Sequence, residues 1–143
     1  MAGDIVVGIA GDGSGLQAAR TAARVANMMG VPLVLVFGYE ASPLGPRGGA
    51  LEEQMVDIGV VAVGAVRDEL AGIYPDLSIQ TELVNQRAVD AILAVAADRE
   101  AEAVVVGHGG TGPLRAALLG SVTYELVHRA PLPVLVVPEP DGE

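Results

Sequence analysis

Residues 103–122 read AVVVGHGGTGPLRAALLGSV, and the rest of the chain is organised around them. Val104, Val105 and Val106 form a β-branched apolar run of the kind that suits a strand buried on both faces. Glycines follow at once, at 107, 109, 110 and 112, and Gly120-Ser121 closes the stretch just before a segment with helical spacing. By spacing the pattern is Gly107-x2-Gly110-x9-Gly120-Ser121. A buried strand that ends in a loop poor in side chains lets a ligand approach the backbone closely. A serine at the next helix start adds a hydroxyl beside backbone N–H groups that lack helical partners, which suits an anion. The outline is that of a phosphate site, with Gly107, Gly110, Gly120 and Ser121 as contacts and Val106 and Val122 flanking them. Arg115, in the nine-residue insert, reads either as a solvated side chain or as the one nearby cation that can offset phosphate charge.

Composition narrows what such a site belongs to. A chain of 143 residues is expected to form one domain spanning 1–143, large enough for a real core. Its hydrophobic content is 51%, yet no apolar run approaches the roughly 18–20 residues of a membrane span. No basic segment precedes the first apolar run, MAGDIVV, so no secretory signal is expected and the protein reads as soluble and cytoplasmic. Cysteine is absent and His108 and His128 are the only histidines, which argues against disulfides, thiolate metal sites and a His-rich metal centre. A net charge of −10 opposes non-specific binding to nucleic acid or anionic membranes, and one Phe with no Trp leaves almost no stacking platform for bases. All eight basic residues are arginine, so a phosphate loop that depends on lysine is excluded.

In chain order, residues 4–9 (DIVVGI) read as a short buried strand, followed by a turn and by Ser14 as a helix N-cap. Leu16, Ala19, Ala23 and Ala26 then share a helix face that Gly30 terminates. A second apolar strand, LVLVF, covers 33–37, so strand, helix and strand make a βαβ unit with parallel pairing. Residues 40–50 read as loop. A helix is expected over 51–72, with Leu51, Met55, Ile58, Ala62 and Val66 on one face and apolar surface wide enough to predict burial on more than one side. Residues 77–84 alternate like an edge strand. Val89, Ile92, Leu93 and Ala96 face inward from a third helix. The strand at 103–106 precedes the glycine loop. A short helix over about 121–129 is expected to turn Val122 and Leu126 inward, and 133–137 is the last strand. Five strands alternating with four helices make an α/β doubly wound three-layer sandwich.

The 107–121 spacing resembles the nucleotide-binding signature of the ATP-binding branch of the universal stress protein family. That signature is Gly, two residues, Gly, nine residues, then Gly followed by Ser or Thr, and it is matched here without a gap. The resemblance extends through IVVGIAGDGS at 5–14 and HRAPLPVLVVP at 128–138, hence over nearly the whole chain. It implies a five-stranded parallel sheet of order 3-2-1-4-5, in which the turn after strand 1 and the glycine loop after strand 4 face each other at a switch point. It also implies ATP, alone or with Mg²⁺, or another adenine nucleotide, as ligand. Ile9 and Ala10 at the end of strand 1 and Gly38 after strand 2 would complete the site. Three positions depart from the family pattern. Ala10 stands where the family has an Asp that contacts the nucleoside. Gly38 replaces a branched apolar residue under the base. Gln86 and Ala88 replace the Gly and Pro before the third helix. The phosphate half of the site is intact and the nucleoside half is altered.

No catalytic residue is marked. His108, in a position where the family has Ser, has no nucleophile or carboxylate partner in the pattern and reads as a loop residue whose backbone matters. His128 sits at a helix C-terminus and reads as structural. The expected function is that of an adenine-nucleotide-binding regulator. The alternatives are an interaction module of the same fold with a vestigial site, and a slow ATPase. As an outer strand, Val134, Leu135, Val136 and Val137 present an apolar edge without charge, which predicts a homodimer through this segment.

Overall fold

Parallel pairing of five strands builds the sheet, in the order β3-β2-β1-β4-β5. The computed structural model describes residues 3–11, 15–42, 44, 49–109 and 119–138. The elements are β1 (Ile5–Gly8), α1 (Leu16–Met29), β2 (Leu33–Tyr39), α2 (Gly49–Ile73), β3 (Ile79–Asn85), α3 (Ala88–Asp98), β4 (Ala103–Gly107), α4 (Ser121–Arg129) and β5 (Val134–Val137). β1 is central, its Ile5 level with Leu33 of β2 on one side and Ala103 of β4 on the other. The expected fold and strand order are therefore the observed ones.

Alternation along the strands divides the core into two layers. Ile5, Val7, Leu33, Leu35, Phe37 and Val105 point to one face, under α1 and α2. Val6, Val34, Val36, Val104 and Val106 point to the other, under α3 and α4. α1 packs so closely because its buried residues are all alanine: Ala18, Ala19, Ala22, Ala23 and Ala26. Arg99, just past α3, ties three elements together. Its Nε donates to Glu82 at 2.6 Å, and its Nη1 donates to Asp4 at 3.1 Å and to Gln80 at 2.7 Å.

Two expectations about helices need correction. Ser14 lies outside the described residues, and the N-cap of α1 is Gly15, whose φ of 104° places it in the left-handed region, with no side-chain cap. α2 is buried along one face only, through Gly59, Ala62, Val63, Val66 and Leu70. Val60, Val61 and Ile73 are exposed, and Ile58, expected inward, is 46% exposed. The cause is the close seat of Gly59 on Phe37, where a Cβ would lie 2.4 Å from the ring. That contact sets the rotation of the helix and turns Ile58 aside.

Candidate functional site

From β1 the chain winds towards β2 and β3, while β4 and β5 extend the sheet the other way. Open α/β sheets bind ligands at the carboxyl ends of the strands beside such a switch. A cleft of about 520 Å³ lies there. Ile9 and Ala10 reach it from the end of β1, Gly38 from β2, Val106 and Gly107 from β4, and Val122 and Thr123 from α4, with Met55 and Ile58 as the α2 wall. A second pocket of about 540 Å³ shares Gly38, Met55, Ala88 and Val122 with the first and adds Ser121, Arg87, Glu125 and Glu40. The structure thus brings together Ile9, Ala10, Gly38, Val106, Gly107, Ser121 and Val122. Gly110 and Arg115 lie outside the described residues, as does Asp12.

The glycine stretch is organised as a neck. The backbone N–H of His108 donates to Val137 O at 2.9 Å, and the N–H of Gly120 donates to His108 O at 2.9 Å. His108 therefore works through its main chain at both ends, as its sequence context suggests. Gly109 has φ +78°, a left-handed conformation that L side chains rarely adopt. A Cβ on Gly120 would lie 2.5 Å from Gly109 O, so the two strands of the neck cross without room for a methyl group. Gly120 is thus required first by the neck itself, before any ligand is considered.

α4 starts from this neck. Its N-cap is Gly120, in extended conformation, and Ser121 is the first helical residue. As a glycine the N-cap supplies no side-chain cap, and no acidic residue occupies the first turn of α4. The first N–H groups of α4 consequently face the cleft end without an internal acceptor. Val122, expected inward, is 37% exposed and lines the cleft instead. The inward pair is Thr123 and Leu126, spaced i, i+3. Thr123 is 3% exposed, and its hydroxyl donates to Gly107 O at 2.6 Å, fastening α4 to the last residue of β4. Thr123→Val keeps the shape and leaves that carbonyl unpaired. It is expected to lower stability by about 1–3 kcal/mol in urea denaturation, and to weaken any ligand held by the neck.

Charge at the rim comes from a four-residue network between α3 and α4. Arg87 Nε donates to Asp90 at 3.0 Å and Arg87 Nη2 to Glu125 at 2.9 Å, while Arg129 Nη1 donates to Asp90 at 3.0 Å and also to Glu125. Hydrogen bonds from Arg87, then from Arg129, hold both the Asp90 and Glu125 carboxyls below the usual carboxylate range. Neither Arg87 nor Thr123 stands out in the sequence as a site residue. The signal for Arg87 is topological: an arginine between the end of β3 and the start of α3 falls on the crevice side of the sheet. His128 is structural, as expected, with Nδ1 2.8 Å from Tyr124 O and its ring stacked on Tyr124 at 4.2 Å.

Comparison with known proteins places these features in context. The model of the universal stress protein family matches residues 1–138. A universal stress protein of Mycobacterium tuberculosis is 33% identical over 145 residues, covering 96% of this chain and 48% of its own length. The chain therefore spans about half the length of that curated relative. Among solved structures, a universal stress protein in complex with cAMP is 25% identical with a TM-score of 0.73, covering 96% of this chain and 98% of the other. The universal stress protein of Archaeoglobus fulgidus in complex with dAMP has a TM-score of 0.65 at 23% identity, covering 94% of this chain and 96% of the other.

Proposed function

The chain belongs to the universal stress protein family, and from that membership we propose that it is a cytoplasmic regulator that binds an adenine nucleotide, ATP above all, in the crevice between β1 and β4. The observation that carries the reading is the joining of an apolar cleft of about 520 Å³ to a helix start whose N-cap is a glycine held in a tight neck. The base and sugar take the cleft between Ile9, Ala10, Val106 and Val122, and the phosphates take the N–H groups of Gly109, Ser121 and Val122. Gly110 and Arg115 would add to the phosphate contacts. Related structures carry cAMP and dAMP, which supports an adenine nucleotide as the ligand class. Mg²⁺ enters the proposal as the counter-ion of ATP. No helix among the described residues is long and apolar enough to cross a membrane.

Calorimetric titration of the purified chain tests this reading. ATP, ADP and AMP are expected to saturate at one per chain, with affinity rising with phosphate number. No saturation by any of them at about 1 mM, equivalent to a binding free energy weaker than about −4 kcal/mol, would overturn it.

The same proposal includes a homodimer through β5. Among the described residues that strand pairs with β4 alone, and its Leu135 is 42% exposed. The carbonyls of Pro133 and Val137 accept from the β4 side, so the N–H groups of Val134 and Val136 face the outer edge. A second copy of the strand would cover this edge. Leu135→Lys is expected to shift the chain from dimer to monomer in sedimentation equilibrium. A wild-type chain that sediments as a monomer, or a variant that stays dimeric, would contradict the seam.

A further inference from the structure

Every basic residue of this chain is an arginine, and among the described residues Arg87 is the one that lines either pocket of the crevice. A polyphosphate entering a protein of net charge −10 must find a cation. Arg87 is, however, already engaged. Its Nε donates to Asp90 at 3.0 Å, and its Nη2 and Nη1 donate to Glu125 at 2.9 and 3.4 Å.

Two observations make this pairing exchangeable. The side chains are solvated, 49% exposed for Arg87 and 32% for Glu125, and solvated ion pairs are held weakly. Arg129 also touches both carboxylates, so departure of Arg87 leaves neither Asp90 nor Glu125 unpaired. The pocket supplies the reason to exchange. Ser121, at the exit of the glycine neck, lines the same pocket as Arg87, Glu125 and Glu40. A phosphate tail that passes Ser121 meets two carboxylates unless Arg87 turns towards it. Guanidinium binds phosphate in the same bidentate manner as carboxylate, and a triphosphate brings more charge than one glutamate.

Resting on the nucleotide reading above, we propose that Arg87 is an exchangeable cation of the site, which leaves Glu125 for the terminal phosphates of the ligand. Glu125 is then a built-in competitor for Arg87, retained by Arg129 after the exchange, and it sets how strongly the site favours triphosphate over the bare nucleoside.

The test is calorimetric titration of ATP and of adenosine into wild type, Arg87→Ala, Arg87→Lys and Glu125→Gln, with thermal midpoints measured in parallel. Arg87→Ala is expected to weaken ATP by about tenfold or more while adenosine changes less than about twofold. Arg87→Lys, which keeps the charge and loses the fork, falls between wild type and alanine. Glu125→Gln is expected to tighten ATP by about threefold or more, because the competitor is removed. A purely structural network predicts the opposite sign for Glu125→Gln, with both variants weakening ATP and adenosine together, and that result overturns the exchange. ATP affinity unchanged in Arg87→Ala, with normal binding by wild type, overturns the exchange alone. A wild-type chain that binds neither ligand overturns the nucleotide reading and the exchange with it.

Discussion

Gly120→Ala is expected to reduce ATP affinity by at least tenfold and to destabilise the fold by about 1–3 kcal/mol, the range for inserting a methyl group where none fits. The new Cβ would lie 2.5 Å from Gly109 O, 2.7 Å from Gly109 C and 2.9 Å from Gly109 Cα. All three are backbone atoms, so no side chain can swing away to accommodate it. The neck must open, and opening it breaks the bond from the Gly120 N–H to His108 O. The N–H groups at the start of α4 then lose their aim at the cleft. Tenfold in affinity corresponds to about 1.4 kcal/mol, which lies within the roughly 1–3 kcal/mol expected for the inserted methyl group. Gly64→Ala is the control, since a Cβ there meets nothing within 4 Å. In a helix interior that change is expected to stabilise by roughly 0.5–1 kcal/mol and to leave ATP binding unaltered. Equal ATP affinity in Gly120→Ala and wild type would show that the neck is not part of the site.

Gly38→Val carries the second large effect, a loss of about 3 kcal/mol by urea denaturation. Valine would bring this position closer to the family pattern, yet the structure has no space for it. A Cβ at Gly38 would lie 2.9 Å from Ala88 Cα and 3.0 Å from both Gln86 O and Ala91 Cβ. The start of α3 presses directly on β2, and two of these three atoms are backbone. The sequence departures at Gly38 and at Gln86 and Ala88 are therefore explained as two sides of one contact, since the backbone of 86 and 88 lies where a side chain on Gly38 would go. A stability change within about 0.5 kcal/mol of wild type would remove that explanation.

These glycines show where sequence reading succeeds and where it stops. The strands were legible because Val104–Val106 and Leu33–Phe37 are β-branched or large apolar runs bounded by turn residues, and such runs have few other uses in a chain of this length. The order of the strands came from the family resemblance, because local pattern does not say which strand lies beside which. The glycine spacing located the neck, but the purpose of Gly120 depends on how closely 109 and 120 cross, and spacing carries no distances. On α2 the expected face is the buried one at Leu51, Met55, Ala62 and Val66, and Ile58 alone departs from it, because a helix apolar on most sides has no sharp edge to its inward face. On α4, Val122 and Thr123 were exchanged. Hydrophobicity alone turns the valine inward, whereas the part-buried carbonyl of Gly107 takes a donor, which the Thr123 hydroxyl supplies. Arg87 is not legible as a site residue because its ion pair with Glu125 joins positions 38 residues apart in sequence.

The proposed seat of the adenine nucleotide is the crevice at the ends of β1 and β4. Amide chemical-shift mapping by NMR, with the labelled wild-type chain titrated with ATP, tests it most directly. The predicted result is a set of saturable shifts concentrated at Ile9, Ala10, Gly107, Gly109 and Gly120 through Thr123, with little change at the opposite sheet end around Asp4 and Arg99. Saturable shifts that cluster away from this crevice, or no shifts at saturating nucleotide, would contradict it.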